Sequence, residues 1–356
     1  MTTTDARSVT AEAMAERLLD AALATADIFA VYLGDRLGWY TALAVAGSLT
    51  PDQLARETST HPRYAREWLE QQAATGIVIA DSHGCFALPP GAAEVLTDRN
   101  SLNYLAPIAR MFAAAGAHLP DLVNAYRAGG GVAWSELGAD ARESQADMNR
   151  PWYEKALPRA LAGVPAVHEI LDRPGVRILD VGCGAGWSSI ALARAYPAAR
   201  VTGRDIDAPT VELARGNVET AGIADRVTLE LGDASVLPPE AYNIAFAFEC
   251  VHDMPRPVEV LRAVRAALRP GGLLVVMDEA VAEDFTAPAD VTDRLMYGFS
   301  LLVCLPDGMS QQPSAGTGTV MRPRVLRSYA EQAGFRRTDV LPIEDFGFWR
   351  FYALHP

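Results

Sequence analysis

The spacing of apolar and polar positions along the chain changes near residue 175. Before it, apolar residues recur every three or four positions in stretches rich in Ala, Leu and Arg, broken by Gly34, Gly47, Gly76, Gly91 and the triplet Gly129, Gly130, Gly131. That texture is helical, with few strands. After it, short apolar runs of strand length alternate with amphipathic segments, the order that builds a parallel sheet covered on both faces. The spacing predicts strands over 176–181, 200–205, 227–231, 242–248 and 272–278, with helices over 187–195, 209–221 and 257–268. Residues 280–322 interrupt the alternation as an insertion. A helix over 323–333 and strands over 336–343 and 347–354 close the chain.

Within the helical half, residues 41–90 read as two helices followed by a hairpin. Thr50-Pro51-Asp52-Gln53 supplies an N-cap, a proline at the first helical position and a Gln three residues after the cap. A second helix opens near Thr60-His61-Pro62 and stops at Gly76. Ile77-Val78-Ile79 and Cys85-Phe86-Ala87-Leu88 then flank the turn Asp81-Ser82-His83-Gly84. Helix, helix, hairpin is a winged-helix pattern, whose functional use is DNA binding. The second helix, however, balances Arg63 and Arg66 against Glu67 and Glu70, whereas a groove-reading helix is clearly basic. The module is therefore expected to pack or dimerise. The stripe Leu18, Leu19, Ala22, Leu23 and Ala26 within residues 1–40 suits a packing or dimer helix.

A chain of 356 residues holds about two domains. With 50% hydrophobic and 21% charged residues it has the balance of a globular protein rather than a disordered one. No apolar run approaches the roughly 20 residues that span a bilayer, and the first 20 residues lack the basic and apolar segments of a secretory signal. A cytoplasmic protein with no membrane partner is expected. Cys85, Cys183, Cys250 and Cys304 are widely separated and the six histidines stand apart, so neither disulfides nor a metal site is expected. The net charge of −13 is shared by both halves, which leaves no basic footprint for a nucleic acid. Lys155 is the only lysine, the one candidate for Schiff-base chemistry.

The chemistry gathers at strand ends. Ile178-Leu179-Asp180-Val181 runs into Gly182-Cys183-Gly184-Ala185-Gly186 and then into a helix at Trp187. Glycines let the backbone turn tightly and approach a ligand, and the helix N-terminus offers free N–H groups. Trp187 stands where a dinucleotide fingerprint needs its third glycine, which disfavours NAD. Asp205 ends the second strand 19 residues after Gly186, where a carboxylate can accept from both ribose hydroxyls, with Asp207 as its competitor. Asp233, after the third strand, can accept from the exocyclic amine of adenine. Any one of these Asp residues is as readily a helix cap or a turn residue. Together with the glycine loop, on one sheet edge, they point to a bound ligand.

The run Asp180 to Gly186, with Gly203-Arg204-Asp205, Gly232-Asp233-Ala234, Glu249-Cys250-Val251-His252-Asp253-Met254 and Leu268-Arg269-Pro270-Gly271-Gly272, resembles the class I S-adenosylmethionine-dependent methyltransferases. The resemblance covers about 176–356. The front end is similar in architecture to the dimerisation domain of small-molecule O-methyltransferases of the plant type and their actinobacterial relatives. This resemblance implies an α/β fold: a Rossmann-like class I methyltransferase domain with a seven-stranded, mostly parallel sheet, preceded by a mainly helical winged-helix-like domain. The implied division is 1–100 for dimerisation, 101–172 as a helical linker contributing to the active site, and 173–356 for catalysis, with the insertion at 280–322. It also implies S-adenosylmethionine as cofactor, S-adenosylhomocysteine as product, a small-molecule acceptor and a homodimer. By position, Gly182, Gly184 and Gly186 would face the methionine part, with Asp180 supporting the loop. Asp205 would hold the ribose, Asp233 and Ala234 the adenine, and Glu249 would lie near the methionyl amine. Arg204 departs from the apolar or aromatic residue usual there, and could pair with Asp207 or sit beside the adenosine.

His252 and Asp253 coincide with the motif that supplies the general base in the plant-type enzymes. A phenol with a pKa near 10 and an imidazolium near 6.5 are separated by about 5 kcal/mol. The base must then act as the methyl moves, helped by a carboxylate such as Asp253, Asp278 or Glu279. Asp253 could instead cap the helix over 257–268. Acceptor contacts are expected from Met148, Trp152 and Tyr153 ahead of the first strand, and from Met296, Tyr297, Phe299 and Met309 in the insertion. Such apolar and aromatic side chains suit a flat organic acceptor, although Trp152 and Met296 could equally be core. The run 310–319, poor in apolar anchors, reads as a mobile lid. The expected activity is methyl transfer to a small organic acceptor, at oxygen before nitrogen or carbon, in small-molecule biosynthesis. A cofactor-binding enzyme of a non-methylating step such as cyclisation is the alternative, and a winged-helix regulator a more remote one.

Overall fold

The computed structural model describes residues 10–356; the first nine residues of the expected front-end module lie outside them. The chain forms two compact units that divide between Ala113 and Ala114. The first holds α1 (Ala11–Arg36), α2 (Trp39–Ala46), α3 (Pro51–Glu57), α4 (Pro62–Ala74), a hairpin of β1 (Ile79–Ala80) and β2 (Phe86–Ala87), and α5 (Pro90–Thr97). The Thr50 hydroxyl and the Gln53 amide cap α3 reciprocally, as the spacing predicts. Trp39, Tyr40 and Trp68 form an aromatic centre, and Trp68 Nε1 donates to Ala30 O over 2.8 Å. Gly34 lets α1 pass these rings, because a Cβ there would lie 2.4 Å from Trp68. The predicted stripe of α1 faces outward: Leu18, Leu19 and Leu23 are 65%, 61% and 58% exposed. On α4 the exposed Arg63 pairs with Glu67, so the helix has no clearly basic face.

The division falls inside α6 (Pro107–Ala117), which is followed by α7 (Leu119–Ala128), α8 (Trp134–Pro151), a π turn (Trp152–Ala156), α9 (Leu157–Ala162) and α10 (Pro165–Leu171). The sheet comprises β3 (Arg177–Val181), β4 (Arg200–Asp205), β5 (Val227–Leu231), β6 (Tyr242–Phe248), β7 (Leu268–Glu279), β8 (Arg337–Val340) and β9 (Trp349–His355). Its order is β5-β4-β3-β6-β7-β9-β8, parallel except for β9, which runs against both neighbours. Ile178, Phe246, Val275 and Phe351 enter one buried cluster and Leu179, Ala247, Val276 and Tyr352 the other. Both faces are therefore covered, which is why the strands read as near-continuous apolar runs.

Around the sheet lie α11 (Trp187–Ala195), α12 (Ala208–Thr220), α13 (Pro257–Ala267) and α16 (Pro323–Ala333), while the insertion folds as α14 (Val291–Phe299), a π turn (Ser300–Cys304) and α15 (Leu305–Met309). Two strand boundaries differ from the expectation by three residues or more. β7 begins at Leu268 rather than 272, because Leu268 pairs with Tyr242 before a register shift that passes Pro270, Gly271 and Gly272. β8 ends at Val340 because the chain turns back, Ile343 N donating to Leu341 O. Among the described residues no helix is long and apolar enough to cross a membrane. β3 and β6 are adjacent although β4 and β5 lie between them in sequence, so a crevice opens at their carboxyl ends.

Candidate functional site

The loop after β3 holds Gly182, Gly184 and Gly186 at φ +64°, +51° and +79°. These are left-handed conformations that a side chain would strain. A Cβ on Gly182 would lie 2.7 Å from Cys250 Cβ, and one on Gly186 3.2 Å from Ala214, whereas around Gly184 nothing lies within 4 Å. The loop is packed at both ends and open in the middle. Beneath it Asp180 is fully buried and accepts the hydroxyls of Ser188 and Ser189 at 2.6 Å each, so it braces the start of α11. Burial pushes its pKa up to about 6, and its Oδ1 has no partner.

Asp205, at the end of β4, accepts from Gly184 N and Asp207 N, both at 2.9 Å, and burial outweighs these bonds to raise its pKa. Asp207 has a different task. It caps α12 by accepting from Thr210 N, and it pairs with Arg142 Nε at 2.7 Å. Arg204 pairs with Glu230 at 2.8 Å rather than with Asp207, which Arg142 holds, and its guanidinium also donates to Asp233 O at 3.4 Å. Beyond β5, Ala234 is buried while Asp233 is exposed, its Oδ1 accepting from Ser235 N.

Glu249 follows β6 in a left-handed conformation, φ +49°, rare for a residue with a side chain. Its Oε2 accepts from Asn149 Nδ2, and Gln145 Nε2 lies 3.5 Å away, both amides coming from α8. Burial, then the nearby Glu279, push its pKa up to about 8. Three residues on, His252 is 2% exposed in a single 3-10 turn. Its Nδ1 lies 2.9 Å from Asp278 Oδ1 and 3.2 Å from Glu279 Oε2, and its Nε2 lies 3.3 Å from Asp253 Oδ1. Burial opposes charge on the ring, but the three carboxylates outweigh it and hold its pKa well above the usual imidazole value. Glu279 rises to about 7, mainly through burial.

Asp253 is the cluster member with an open side, its side chain one-third exposed. It does not cap α13, whose N-cap is Arg256. Two groups of the insertion complete the setting. The Cys304 thiol sits beside His252 and Asp253, with its pKa pushed up to about 12 by burial. Asp307 accepts from Trp134 N at 2.8 Å, and burial, then Asp253, push it up to about 7. Arg142, Gln145, Cys304 and Asp307 carry no motif, and only the packing of distant segments brings them here.

Of the expected acceptor residues, Met148 is half-buried on α8, and Trp152 packs against Phe346 and Trp349 with ring centroids 5.3 and 5.6 Å away. Tyr153 is buried against Phe248, and Met296 is buried too. The Tyr297 hydroxyl accepts from Arg322, while Phe299 and Met309 are half-buried. The run 310–319 is tied down by hydrogen bonds in place of apolar anchors: Ala315 N donates to Pro255 O and Gly318 N to His252 O.

Residues 172–310 match a family described as a methyltransferase domain, and residues 25–98 match the Rv2258c-like winged HTH domain. Methyltransferase GfsG of Streptomyces halstedii is 34% identical over 151 residues, covering 41% of this chain and 53% of the relative. The 27-O-demethylrifamycin SV methyltransferase of Amycolatopsis mediterranei (strain S699) is 41% identical over 108 residues, covering 30% and 39%. The chain spans about half or less of the length of these relatives. Among solved structures, the mitomycin 7-O-methyltransferase MmcR aligns with a TM-score of 0.72 at 23% identity over 97% of this chain and 98% of that one. Human N-acetylserotonin methyltransferase aligns with a TM-score of 0.67 at 19% identity, over 100% and 99%. At such identities the likeness establishes a shared fold.

Proposed function

From the match of residues 172–310 to a methyltransferase domain and of residues 25–98 to the Rv2258c-like winged HTH domain, we propose that the chain is an S-adenosylmethionine-dependent methyltransferase acting on a small organic acceptor, at oxygen before nitrogen or carbon. The observation that carries the reading is the glycine loop, open at Gly184 and flanked by Asp205, at the crossover of the sheet. The residues fit the cofactor. Gly184 leaves room for a ligand against the backbone, Asp180 Oδ1 is buried without a partner, and Asp205 and Glu249 suit hydroxyl groups and an ammonium. Asp233 and Ala234 stand where the adenine end would lie.

When bound, the cofactor supplies a sulfonium methyl group to the acceptor's nucleophile. This chain's residues orient the pair and receive the proton. His252 is the base that takes it, reached through Asp253 at the open edge of the cluster, 3.3 Å from Nε2, with Asp278 and Glu279 holding Nδ1. Met148, Trp152, Tyr153, Met296, Tyr297, Phe299 and Met309 are proposed to shape the acceptor side, supported by the apolar character of these segments. Residues 1–100 dimerise, 101–172 link and 173–356 catalyse; the exposed leucines of α1 and the neutral α4 support a homodimer over a DNA complex. The relative named as a 27-O-demethylrifamycin SV methyltransferase supports a place in small-molecule biosynthesis.

The test is incubation with S-adenosylmethionine and a panel of phenols, indoles and amines. Acceptor-dependent appearance of S-adenosylhomocysteine is expected. Turnover of an acceptor that releases none would instead establish the non-methylating alternative.

A further inference from the structure

Three polar side chains of α8 reach three different parts of the crevice. Arg142 reaches Asp207 behind β4, Asn149 donates to Glu249 after β6, and the Arg150 guanidinium lies 4.2 Å over the Trp187 ring that opens α11. Asn149 is the most enclosed of these, 7% exposed, and it is hydrogen-bonded to the Tyr153 hydroxyl as well. Its partner Glu249 keeps a left-handed backbone, which persists only where the surroundings enforce it. The remaining groups facing Glu249 are Glu279 of β7, His252 of the 3-10 turn, Tyr153 of the π turn and the Trp349 indole of β9.

From this placement we propose that Asn149 is a positioning residue for Glu249, through which α8 presents that carboxylate to the ammonium end of the S-adenosyl ligand. The inference rests on the cofactor reading above. The Asn149 amide N–H and the Trp349 indole N–H only donate, so together they fix the carboxylate and leave its remaining lone pairs to meet an ammonium. The Asn149 amide also favours the ionised carboxylate, against the burial and the Glu279 charge that promote the neutral acid. A loop position that only filled space would do neither.

The experiment titrates S-adenosylhomocysteine calorimetrically into full-length wild type, Asn149→Leu, Glu249→Gln and the double variant, with melting curves confirming folded protein. Asn149→Leu is expected to bind about 10-fold more weakly. The double variant is expected to bind no more weakly than Glu249→Gln alone, because Asn149 acts through that carboxylate. Asn149→Asp, which keeps the size and carries the test if Asn149→Leu does not fold, should bind poorly near pH 8. It should recover as the pH falls and one of the two facing carboxyls takes a proton. Asn149→Leu titrating like wild type, its loss adding in full to that of Glu249→Gln, or an Asn149→Asp defect independent of pH would each overturn the proposal. Wild type that binds no S-adenosylhomocysteine would remove the cofactor reading and this proposal together, an outcome distinct from variants that match a binding wild type.

Discussion

The glycine edge and the carboxylate cluster occupy the ends of neighbouring strands, yet they manage negative charge in opposite ways. At the edge each carboxylate has fixed donors: two hydroxyls for Asp180, two backbone N–H groups for Asp205, and Arg142 with the α12 terminus for Asp207. In the cluster, Asp253, Asp278 and Glu279 share one imidazole, and three of their oxygens, Asp253 Oδ1, Asp278 Oδ2 and Glu279 Oε2, are buried without a hydrogen-bond partner, against one, Asp180 Oδ1, at the edge. Unpaired buried charge is costly, and it is relieved by taking up protons. Donors placed by the backbone suit the gripping of a ligand, whereas an excess of carboxylates around one imidazole suits the handling of a proton.

The largest expected effect breaks the second region and spares the first. His252→Ala should slow methyl transfer roughly 10²- to 10⁴-fold, as seen in initial rates with a verified acceptor. For a phenolic acceptor the loss should be partly relieved at high pH, where hydroxide takes over proton removal. An unchanged rate would mean that the acceptor needs no base.

Two glycine variants sharpen the same contrast within the edge. Gly184→Ala adds a methyl group to open space, so the chain should stay folded, with about 1 kcal/mol of backbone strain, while S-adenosylhomocysteine binding falls at least about 10-fold. Gly182→Ala drives its Cβ onto Cys250, so melting should reveal the greater loss of stability, about 1–3 kcal/mol. Equal behaviour of the two in melting and in binding would contradict the packed-end, open-middle loop.

A smaller effect follows from the raised carboxyls. Between the ordinary value near 4.5 and the folded values of about 8 for Glu249 and 7 for Glu279, the folded chain binds protons that the unfolded chain has released. Their stabilising contribution is full below that window and is lost as pH rises through the folded values; His252, also raised, acts in the same direction. The melting temperature of the ligand-free chain should therefore fall from about pH 5.5 to about pH 8.5, less so in Glu249→Gln. A melting temperature that rises over this window would count against the cluster. Least consequential for either site is Leu19→Arg on α1, which should shift the sedimenting species from dimer to monomer; a persisting dimer would move the interface elsewhere.

The two regions also differ in how far they could be read from sequence. A strand end, three glycines and a following Asp are local, so the crevice edge was legible, while the cap that Asp207 makes on α12 and its pairing with Arg142 came from the structure. The capping box of α3 was legible for the same reason. Arg204 was not, because its partner Glu230 is its cross-strand neighbour, and pairing register is invisible in a single strand. Asn149, Cys304 and Asp307 reach the site through α8 and the insertion, on helices whose sequence fixes a face but not which distant loop that face will meet. His252 was found through its motif, whereas its burial behind Asp253 came from packing.

The central claim, that ligand gripping and proton handling reside in separate regions, is tested most directly by titrating S-adenosylhomocysteine into wild type, Asp205→Ala and His252→Ala under one set of conditions. Asp205→Ala should weaken binding by roughly 1.5–3 kcal/mol, about 10- to 150-fold, while His252→Ala should bind as wild type does. Wild-type affinity in Asp205→Ala, or an equal loss in both variants, would contradict the account.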